Sequence, residues 1–274
     1  MNSEYKSLRV EKSGGVVEVV LTGPGKGNAM GPDFWREMPG LFAALDRDQD
    51  ARAIIIRGDG DHFSYGLDLA AMMDSLGPPG GEANLAAERA RLLDLIGAMQ
   101  KACDNIAHCR KPVIAAISGW CVGGGLDVIS ACDVRLCSQD ARFSLREVRV
   151  AIVADLGSLQ RLPYIIGEGY TRELAFTGKD IDAARALRIG LVNDVYEDQA
   201  ALLAAARRLA REIADNPPLV VQGVKQVMNH RIEKEIADGL RHVAVWNSAF
   251  LQSEDLAEAM TAFKERRPPK FKGR

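Results

Sequence analysis

The stretch GWCVGGGLDVISACDVR, residues 119–135, decides the fold of this chain and raises the first question about its chemistry. Three consecutive glycines, from Gly123 to Gly125, stand just before a carboxylate, Asp127, in an apolar region. Glycine lets a backbone N–H approach a ligand without an intervening Cβ, and the first N–H groups of a helix lack internal partners at its positive end. A helix that opens at Gly124 therefore offers a site for an oxyanion. The structural alternative is close packing between a strand and a helix.

Short apolar runs on both sides of this stretch predict buried strands, and amphipathic patterns between them predict helices. Their alternation indicates an α/β architecture with right-handed crossovers. A proline within one helical pattern, Pro39, predicts a kink or a late start of that helix. The strands are expected at 16–23, 51–60, 111–119 and 133–138, and the helices at 32–48, 84–109 and about 125–132.

Residues 198–274 differ from the rest because they show four amphipathic helical patterns and no convincing strand. We therefore divide the chain into an α/β core, 1–197, which holds the active site, and a C-terminal helical region, 198–274. The apolar faces of these helices can pack either on the core or on another subunit. Because so much apolar surface needs covering, we expect an obligate oligomer.

The composition is that of an ordinary globular protein of 274 residues, with 47% hydrophobic and 26% charged side chains and a net charge of −2. This charge argues against a nucleic-acid-binding protein. No apolar run approaches the roughly 20 residues that cross a bilayer, and the polar N-terminal residues do not resemble a secretory signal. The chain does not end in the peroxisomal Ser-Lys-Leu signal. Its five cysteines are expected to be reduced core thiols. These features predict a cytoplasmic protein without a membrane partner.

A second glycine-rich turn, GDGDHFSYGLDLAAMM at 58–73, follows a predicted strand. It places the N–H of Leu67 just after Gly66, and two glycine-adjacent amides on two such turns can form a hole with two donors. Neither stretch contains a P-loop motif or a dinucleotide fingerprint. The alternating glycines of GPGKGNAMG, 23–31, have no helix directly behind them and carry little weight as a dinucleotide site.

Two further carboxylates, Glu147 and Asp155, flank the apolar run VRVAIVA. Burying a carboxylate in such a run costs free energy unless the group has a partner or a chemical role. For Asp155 the structural alternative is an N-cap of the helix that the pattern LGSLQRLP, residues 156–163, predicts.

Five segments carry a resemblance to one known family: GNAMGPDFW, FSYGLDL, ISGWCVGGGLDVISACDVRLCSQDARFSLREV, GSLQRLPYIIG and ARALRIGLVNDVY. Together they resemble the enoyl-CoA hydratase/isomerase (crotonase) superfamily over nearly the whole chain. The resemblance implies a fold of repeated ββα units and a C-terminal helical region that joins trimers, often paired as hexamers. It also implies acyl-CoA thioester substrates and an oxyanion hole formed by the N–H groups of Leu67 and Gly124. No metal or organic cofactor is implied, since coenzyme A is part of the substrate.

The acids of this chain depart from the hydratase pattern at two positions. That pattern has a glutamate where this chain has Asp127 and a glycine where it has Asp155, whereas Glu147 is shared. The three acids are instead similar to those of the dienoyl-CoA isomerase branch, which moves a proton from C2 to C6 of a 3,5-dienoyl-CoA and forms a 2,4-dienoyl-CoA. This similarity implies that Glu147 acts as the base near C2 and Asp155 as the acid near C6, while Asp127 orients or tunes the pair. The residues alone leave the roles of base and acid open between Glu147 and Asp155.

Two other functions stay as alternatives. The first is 2-enoyl-CoA hydration or another crotonase-type reaction, such as thioester hydrolysis or Δ3-Δ2 isomerisation, against which the acid at position 155 argues. The second is a catalytically silent RNA-binding member of the fold, whose signature would be salt-dependent RNA retention. The charge of −2 and the three acids argue against this second alternative.

The resemblance also implies contacts with the acyl group and the CoA moiety. Its C-terminal part, FKERRPPKF at 263–271, resembles a segment that lies near CoA, sometimes across a subunit boundary, and a solvated basic tail is the structural alternative. The acyl chain length is not defined by these residues. The implied contact residues are Lys26, Asn28, Ala29, Met30, Tyr65, Gly66, Asp68, Gly123, Phe263 and Lys270.

Overall fold

The four strands predicted from apolar runs form the centre of a six-stranded sheet, and a smaller sheet lies beside it. The computed structural model describes residues 5–24, 27–76 and 85–274, with the backbone alone for 73–76. The strands are β1 (Leu8–Ser13), β2 (Val16–Leu21), β3 (Ala53–Gly58), β4 (Val113–Ile117), β5 (Trp120–Val122), β6 (Val134–Ser138), β7 (Arg142–Ser144), β8 (Ile181–Asp182) and β9 (Asp194–Tyr196).

The large sheet has the order β1-β2-β3-β4-β6-β9. Strand β1 pairs with β2 in antiparallel orientation, and all the other pairs in this sheet are parallel. The small sheet has the order β5-β7-β8, with β5 and β7 parallel. The chain therefore passes twice from the large sheet to the small one, from β4 to β5 and from β6 to β7. Parallel strands end at the same edge of a sheet, so the residues that follow β5 and β7 are neighbours.

The apolar sequence of β3 follows from burial on both of its faces. Alternate side chains of a strand point to opposite faces of the sheet. Ile54 and Ile56 accordingly pack into the main core, whereas Ile55 packs into a second cluster together with Leu202 and Ala206. A parallel strand buried on both faces reads as a continuous apolar run, which is why the sequence predicts β3 well.

The helices surround these sheets, and most of them lie where amphipathic patterns predict them. They are α1 (Pro32–Arg47), α2 (Leu69–Leu76), α3 (Leu85–His108), α4 (Gly124–Ser130), α5 (Ser158–Thr177), α6 (Ala183–Arg188), α7 (Gln199–Ala214), α8 (Pro218–His230), α9 (Glu233–Phe250) and α10 (Glu254–Glu265), with a 3₁₀ helix at Glu147–Val150.

The prediction of a late start at Pro39 is wrong, because α1 begins at Pro32 and continues through Pro39 as one helix, whereas a kink there stays a prediction. A proline inside a helix costs about 3 kcal/mol. On one side of α1, large apolar side chains lie in the core before and after the proline, among them Met38, Leu41 and Phe42. Packing of this face outweighs the local preference, as it does for most helices in proteins.

The four helices of residues 198–274 do not share one environment. Helix α7 packs on the large sheet through Leu202, Ala206 and Ala210. Helix α9 packs on α3 and α5, whereas α8 exposes several large apolar side chains. The division at residue 198 stays a prediction, since α7 is helical yet belongs to the covering of the sheet.

The five cysteines are all buried, as their apolar surroundings predict. Within the described ranges, none of the helices is long and apolar enough to cross a membrane.

Candidate active site

Three chain segments meet at the carboxyl end of the small sheet. Ser64 forms a parallel bridge with Cys121, and Val122 pairs with Ser144 in the register of β5 and β7. The N–H of Gly123 donates to Ser144 O over 2.9 Å. These pairings bring the turn after β3, the opening of α4 and the segment that leads to Glu147 into one place.

Two backbone amides at this place have no acceptor among the described residues. Met30 and Leu67 form a parallel bridge that consists of two hydrogen bonds. The N–H of Met30 donates to Gly66 O over 2.8 Å, and the N–H of Asp68 donates to Met30 O over 3.1 Å. The N–H of Leu67 itself lies outside this bridge. Gly124 is the first residue of α4, so its N–H has no partner inside the helix. Among the backbone hydrogen bonds of the described residues, neither amide is a donor.

Gly66 is required because the two turns touch. Its φ of 81° lies in the left-handed region that favours glycine. A Cβ on Gly66 would lie 2.5 Å from Val122 O and 3.1 Å from the N atom of Gly124. The two free amides therefore stand on backbone segments in van der Waals contact, which is the arrangement that an oxyanion hole needs.

Asn28 and Ser64 hold the first of these turns. The buried Asn28 donates through Nδ2 to Asp59 O, 3.0 Å, and to His62 O, 2.8 Å. The Ser64 hydroxyl donates to Asn28 O over 2.8 Å and accepts from the N–H of Gly66 over 3.0 Å. These bonds fix the backbone in front of Leu67 in the absence of regular secondary structure.

Asp127 is a buried carboxyl group that connects two helices. It lies in the first turn of α4, is 1% exposed, and accepts through Oδ1 from the backbone N–H of Ser158 over 2.7 Å. Gly157, the N-cap residue of α5, has no side chain to do this. Burial raises the pKa of Asp127, while the bond from Ser158 opposes that rise.

Asp155 is not the N-cap of α5, so the structural alternative for this residue is wrong. That cap position belongs to Gly157, and Asp127 supplies the acceptor. The Asp155 carboxyl instead accepts through Oδ2 from Nδ2 of Asn247 over 2.6 Å. Burial raises the pKa of Asp155 to about 7; the hydrogen bond from Asn247 lowers it, and the nearby Asp127 carboxyl raises it.

Glu147 opens the 3₁₀ helix, and its carboxyl group lies over Gly123. A Cβ on Gly123 would lie 3.4 Å from Oε1 of Glu147. The other oxygen, Oε2, is buried and has no hydrogen-bond partner among the described residues. Burial raises the pKa of Glu147 well above its usual range, and the carboxyl groups of Asp127 and Asp155 raise it further.

One cavity of about 140 Å³ brings these groups together. The three acids Asp127, Glu147 and Asp155 line it together with Leu67 and Gly124, and most of the remaining wall is apolar. The apolar wall residues include Leu69, Ile96, Met99, Ile152, Leu156 and Leu251. An apolar pocket with converging acids and unpaired amides can stabilise an enolate and move protons along an acyl chain.

Comparison with known proteins decides the family. A family model described as enoyl-CoA hydratase/isomerase matches residues 11–274. The chain belongs to the enoyl-CoA hydratase/isomerase family. This result confirms the superfamily resemblance and the prediction that the chain is an enzyme.

Individual relatives refine this family membership. The chain is 45% identical over 272 residues to a Dictyostelium discoideum protein named mitochondrial Delta(3,5)-Delta(2,4)-dienoyl-CoA isomerase, covering 98% of this chain and 92% of the relative. It is 40% identical to an Arabidopsis thaliana protein named peroxisomal Delta(3,5)-Delta(2,4)-dienoyl-CoA isomerase, covering 97% of both. The similarity to dienoyl-CoA isomerases is thus confirmed.

A solved structure supports the fold. The enoyl-CoA hydratase/isomerase from Pseudoalteromonas atlantica T6c superposes with a TM-score of 0.85 at 25% identity, covering 97% of this chain and 100% of the other. The α/β crotonase-like fold is therefore confirmed.

Of the other contact residues that the family resemblance implies, some line the acid-lined cavity and others do not. Tyr65 and Gly123 line the cavity. The N and O atoms of Met30 are used by the bridge to Leu67, and Asp68 accepts from Ala71 N at the start of α2. Ala29 is half-buried beside Asn28, and Lys26 lies outside the described residues.

Phe263 and Lys270 do not line the cavity of their own chain. Phe263 is 70% exposed, and the N–H of Lys270 donates to Glu258 over 2.7 Å. Their predicted contacts with CoA stay predictions.

Two polar residues that contact Asp155 are not predicted from the sequence. Asn247 of α9 bonds the Asp155 carboxyl, and Gln100 of α3 donates through Nε2 to Asp155 O over 2.8 Å and to Leu240 O over 3.0 Å. Both are buried amides on the inward sides of amphipathic helices. A polar residue at a position where the helical pattern predicts an apolar one was the signal that could have found them.

An oxyanion hole at Leu67 and Gly124, as the family resemblance implies, predicts a graded loss of activity on glycine substitution. Gly124→Val should remain folded, because a Cβ there meets Met30 Sδ at 3.3 Å and no backbone more closely than 3.8 Å. Its branched side chain fills the space in front of the amide, so kcat should fall by about 10²–10³, the effect of losing one donor. Gly66→Ala should also destabilise the fold, because its Cβ clashes with Val122 O. Turnover of a 3,5-dienoyl-CoA and thermal melting measure the two effects.

The matched control is Gly169→Val, at an exposed position of α5 where a Cβ would meet no atom within 4 Å. It should retain the wild-type kcat. Full activity of Gly124→Val would remove Gly124 from the oxyanion hole.

Asp127→Asn is expected to move the pH dependence of kcat/KM towards lower pH. The asparagine keeps an acceptor for Ser158 N but removes a charge that raises the pKa of both Glu147 and Asp155. Both pKa values should therefore fall, and both limbs of a bell-shaped profile should shift to the acid side. Asp94→Asn, on the exposed side of α3, is the control that should leave the profile in place. A folded Asp127→Asn enzyme with the wild-type profile would contradict an electrostatic role.

Proposed function

We propose that this chain is a Δ3,5-Δ2,4-dienoyl-CoA isomerase that transfers a proton between C2 and C6 through a dienolate. The observation that carries the proposal is Asp155, whose carboxyl caps no helix and faces the cavity that also contains Glu147. Two acids on one apolar channel suit a proton transfer between distant carbons. The relatives named as dienoyl-CoA isomerases, at 45% and 40% identity, support the same activity.

The first step removes a proton from C2 of the substrate. The thioester oxygen accepts from the N–H groups of Leu67 and Gly124, so that negative charge can develop on it. Glu147 takes the C2 proton, and the electron pair of the C–H bond enters the conjugated system as a dienolate. Each preorganised donor typically contributes about 10²–10³ in rate.

The second step delivers a proton to C6. The dienolate electrons form the new C6–H bond with the proton of Asp155, and the double bonds come to lie at positions 2 and 4. Asp155 is left as a carboxylate and Glu147 as a carboxylic acid. Proton exchange between them or with solvent restores the starting state, and the net reaction consumes no other reactant. These steps require neither a metal ion nor an organic cofactor.

The pKa values of the acids support these roles. Three carboxyl groups close together hold fewer than three charges, because each charge opposes ionisation of the others. A pKa of about 7 keeps a large share of Asp155 protonated at neutral pH. Glu147, whose pKa burial also raises, is a stronger base than an exposed glutamate once it is ionised.

The exposed face of α8 supports assembly into a homotrimer or a dimer of trimers, as the family resemblance implies. Leu219, Val227 and Met228 are 83%, 75% and 68% exposed. Beside them, a cavity of about 650 Å³ is lined by residues of α8 and α9 and of neighbouring elements, and by none of the three acids. Because none of Asp127, Glu147 and Asp155 lines this cavity, covering by apolar contact rather than chemistry is its proposed use. The chain passages from β4 to β5 and from β6 to β7 support repeated ββα units.

Assembly would also explain why two implied CoA-contacting residues of the C-terminal segment lie away from the cavity of their own chain. Phe263 and Lys270 stand away from the cavity of their own chain, and we propose that they contact CoA near a subunit boundary. Tyr65, which lines the acid-lined cavity, and Lys26, which lies outside the described residues, are proposed to contact the same substrate. The cytoplasm is the proposed location, although the two relatives are named mitochondrial and peroxisomal.

The activity is tested by offering the purified enzyme 3,5-dienoyl-CoA and 2-enoyl-CoA side by side. The isomerase should convert the first into the conjugated 2,4-dienoyl chromophore much faster than it hydrates the second. Faster hydration of 2-enoyl-CoA would favour the hydratase alternative.

Asp155→Asn should separate the two proton transfers. Asparagine keeps an acceptor for Asn247 but has no proton to give to C6, so product formation should fall by about 10²–10⁴. Glu147 still takes the C2 proton, and the variant should therefore exchange C2 hydrogen with deuterated solvent. Glu147→Gln should lose both exchange and product. Mass spectrometry of recovered substrate measures exchange, and absorbance of the dienoyl product measures isomerisation.

Asp94→Asn is again the control and should keep both partial reactions. Near wild-type isomerisation by Asp155→Asn would refute the isomerase mechanism.

A charge on the exposed face of α8 should prevent assembly. Val227→Glu and Met228→Glu place a carboxylate where apolar contact with another subunit is proposed, and sedimentation velocity should show a smaller species. Gln226→Glu, on the flank of the same helix, adds the same charge without removing apolar surface and should assemble as the wild type does. A wild-type chain that stays monomeric at micromolar concentration would contradict the oligomer.

A further inference from the structure

Asp155 lies in a segment without regular secondary structure, residues 151–157, between the 3₁₀ helix and α5. Neither strand register nor a helix face therefore determines where its side chain points. Proton transfer to a defined carbon needs the donor oxygen within about 3 Å of its target. Some other contact has to hold this carboxyl group.

The contact comes from the helical region. Asn247, in the last turn of α9, is 2% exposed and donates through the same Nδ2 to two acceptors. These are Oδ2 of Asp155 at 2.6 Å and the carbonyl oxygen of Val153 at 2.8 Å. An NH₂ group has two hydrogens, and both are used. A rotated amide would place its oxygen against two acceptors, so only one orientation of Asn247 satisfies the site.

Gln100 binds the same segment in a different way. Its Nε2 donates to the main-chain oxygen of Asp155 and to Leu240 O. It therefore fastens the backbone between α3 and α9 without touching the carboxyl group. The pair provides a matched comparison, since one amide holds the backbone of Asp155 and the other holds its acid.

We propose, building on the isomerase function above, that Asn247 is a positioning residue that fixes the Asp155 carboxyl for proton transfer to C6. Its bond occupies Oδ2 and leaves Oδ1 for the substrate. A donor to a carboxylate stabilises the charged form, so the bond strengthens as Asp155 gives up its proton. Helix α9 thus completes the active site from the C-terminal helical region.

The carboxyl groups around Asp155 act in the opposite direction to Asn247. Asp127 of α4 and Glu147 of the 3₁₀ helix face it as carboxyl groups, and Arg146 lines the same cavity. From α3 and α9 the facing polar groups are the amides of Gln100 and Asn247. Asn247 is thus the neutral donor that favours the ionised form of Asp155 among these groups.

The test compares Asn247→Leu with Gln100→Leu. The ¹³C NMR signal of the Asp155 carboxyl, assigned by its absence in Asp155→Asn, reports its titration in the whole enzyme without substrate. Loss of the Asn247 bond should raise the titration midpoint by about one pH unit or more. Gln100→Leu should leave the midpoint in place, although it loses stability. In Asn247→Leu, kcat for product should fall at least tenfold, while KM and C2 hydrogen exchange stay near wild type.

A near-isosteric variant keeps the test decisive should Asn247→Leu not fold. Asn247→Asp has the same shape but replaces the donor by an acid, so it should raise the midpoint further. Asn247→Ser retains one donor and should restore part of the wild-type titration. An unchanged Asp155 midpoint in folded Asn247→Leu or Asn247→Asp would overturn the proposal. The NMR result stands independently of the isomerase function, which fails separately if the wild-type enzyme does not convert 3,5-dienoyl-CoA.

Discussion

Three carboxyl groups share one buried space, and the cost of that arrangement explains much of the structure around it. A buried carboxylate without partners is several kcal/mol less stable than an exposed one. Each of two acids is therefore held by a hydrogen bond from a different helix, Asp127 by the start of α5 and Asp155 by Asn247 of α9. The third, Glu147, keeps its Oε2 oxygen without a hydrogen-bond partner in the part of the chain that the structure describes. An oxygen without a protein donor suits the role of base that we propose for Glu147.

Secondary structure is predictable from the sequence where burial requires a regular pattern of apolar residues. The apolar runs of β3 and β4 identify strands buried in a parallel sheet. Strands β2 and β6 are also predicted, although Glu18 and Arg135 interrupt their apolar sequences. Strands β5 and β7 have only three residues each, too few for any period, and neither is predicted from the sequence. Yet their register brings Gly123 and Glu147 together. The most informative pairing for the site was thus the least visible in the sequence.

The candidate site likewise has a part that local sequence motifs predict and a part that they do not. Local motifs suffice for Gly66, Leu67 and Gly124, because a glycine turn after a strand constrains nearby backbone. The surroundings of Asp155 cannot be read locally, since Asn247 is 92 positions away along the chain. A helix-cap alternative for Asp155 was reasonable from its neighbours, but in the fold that cap comes from Asp127, which lies 31 positions before Ser158. Long-range hydrogen bonds decide between such alternatives, and sequence spacing does not encode them.

The C-terminal helical region contributes both to the covering of the sheet and to the candidate site. Helix α7 covers the sheet, α8 exposes an apolar face, and α9 reaches the acids. With its pKa raised to about 7, Asp155 retains a proton in the folded chain at pH values where an unfolded one, with a pKa near 3.9, has lost it. Its contribution to stability therefore declines as the pH rises from about 4 through about 7. Asn247 reduces that loss by stabilising the carboxylate, so the bond that orients the acid also lowers the cost of burying it.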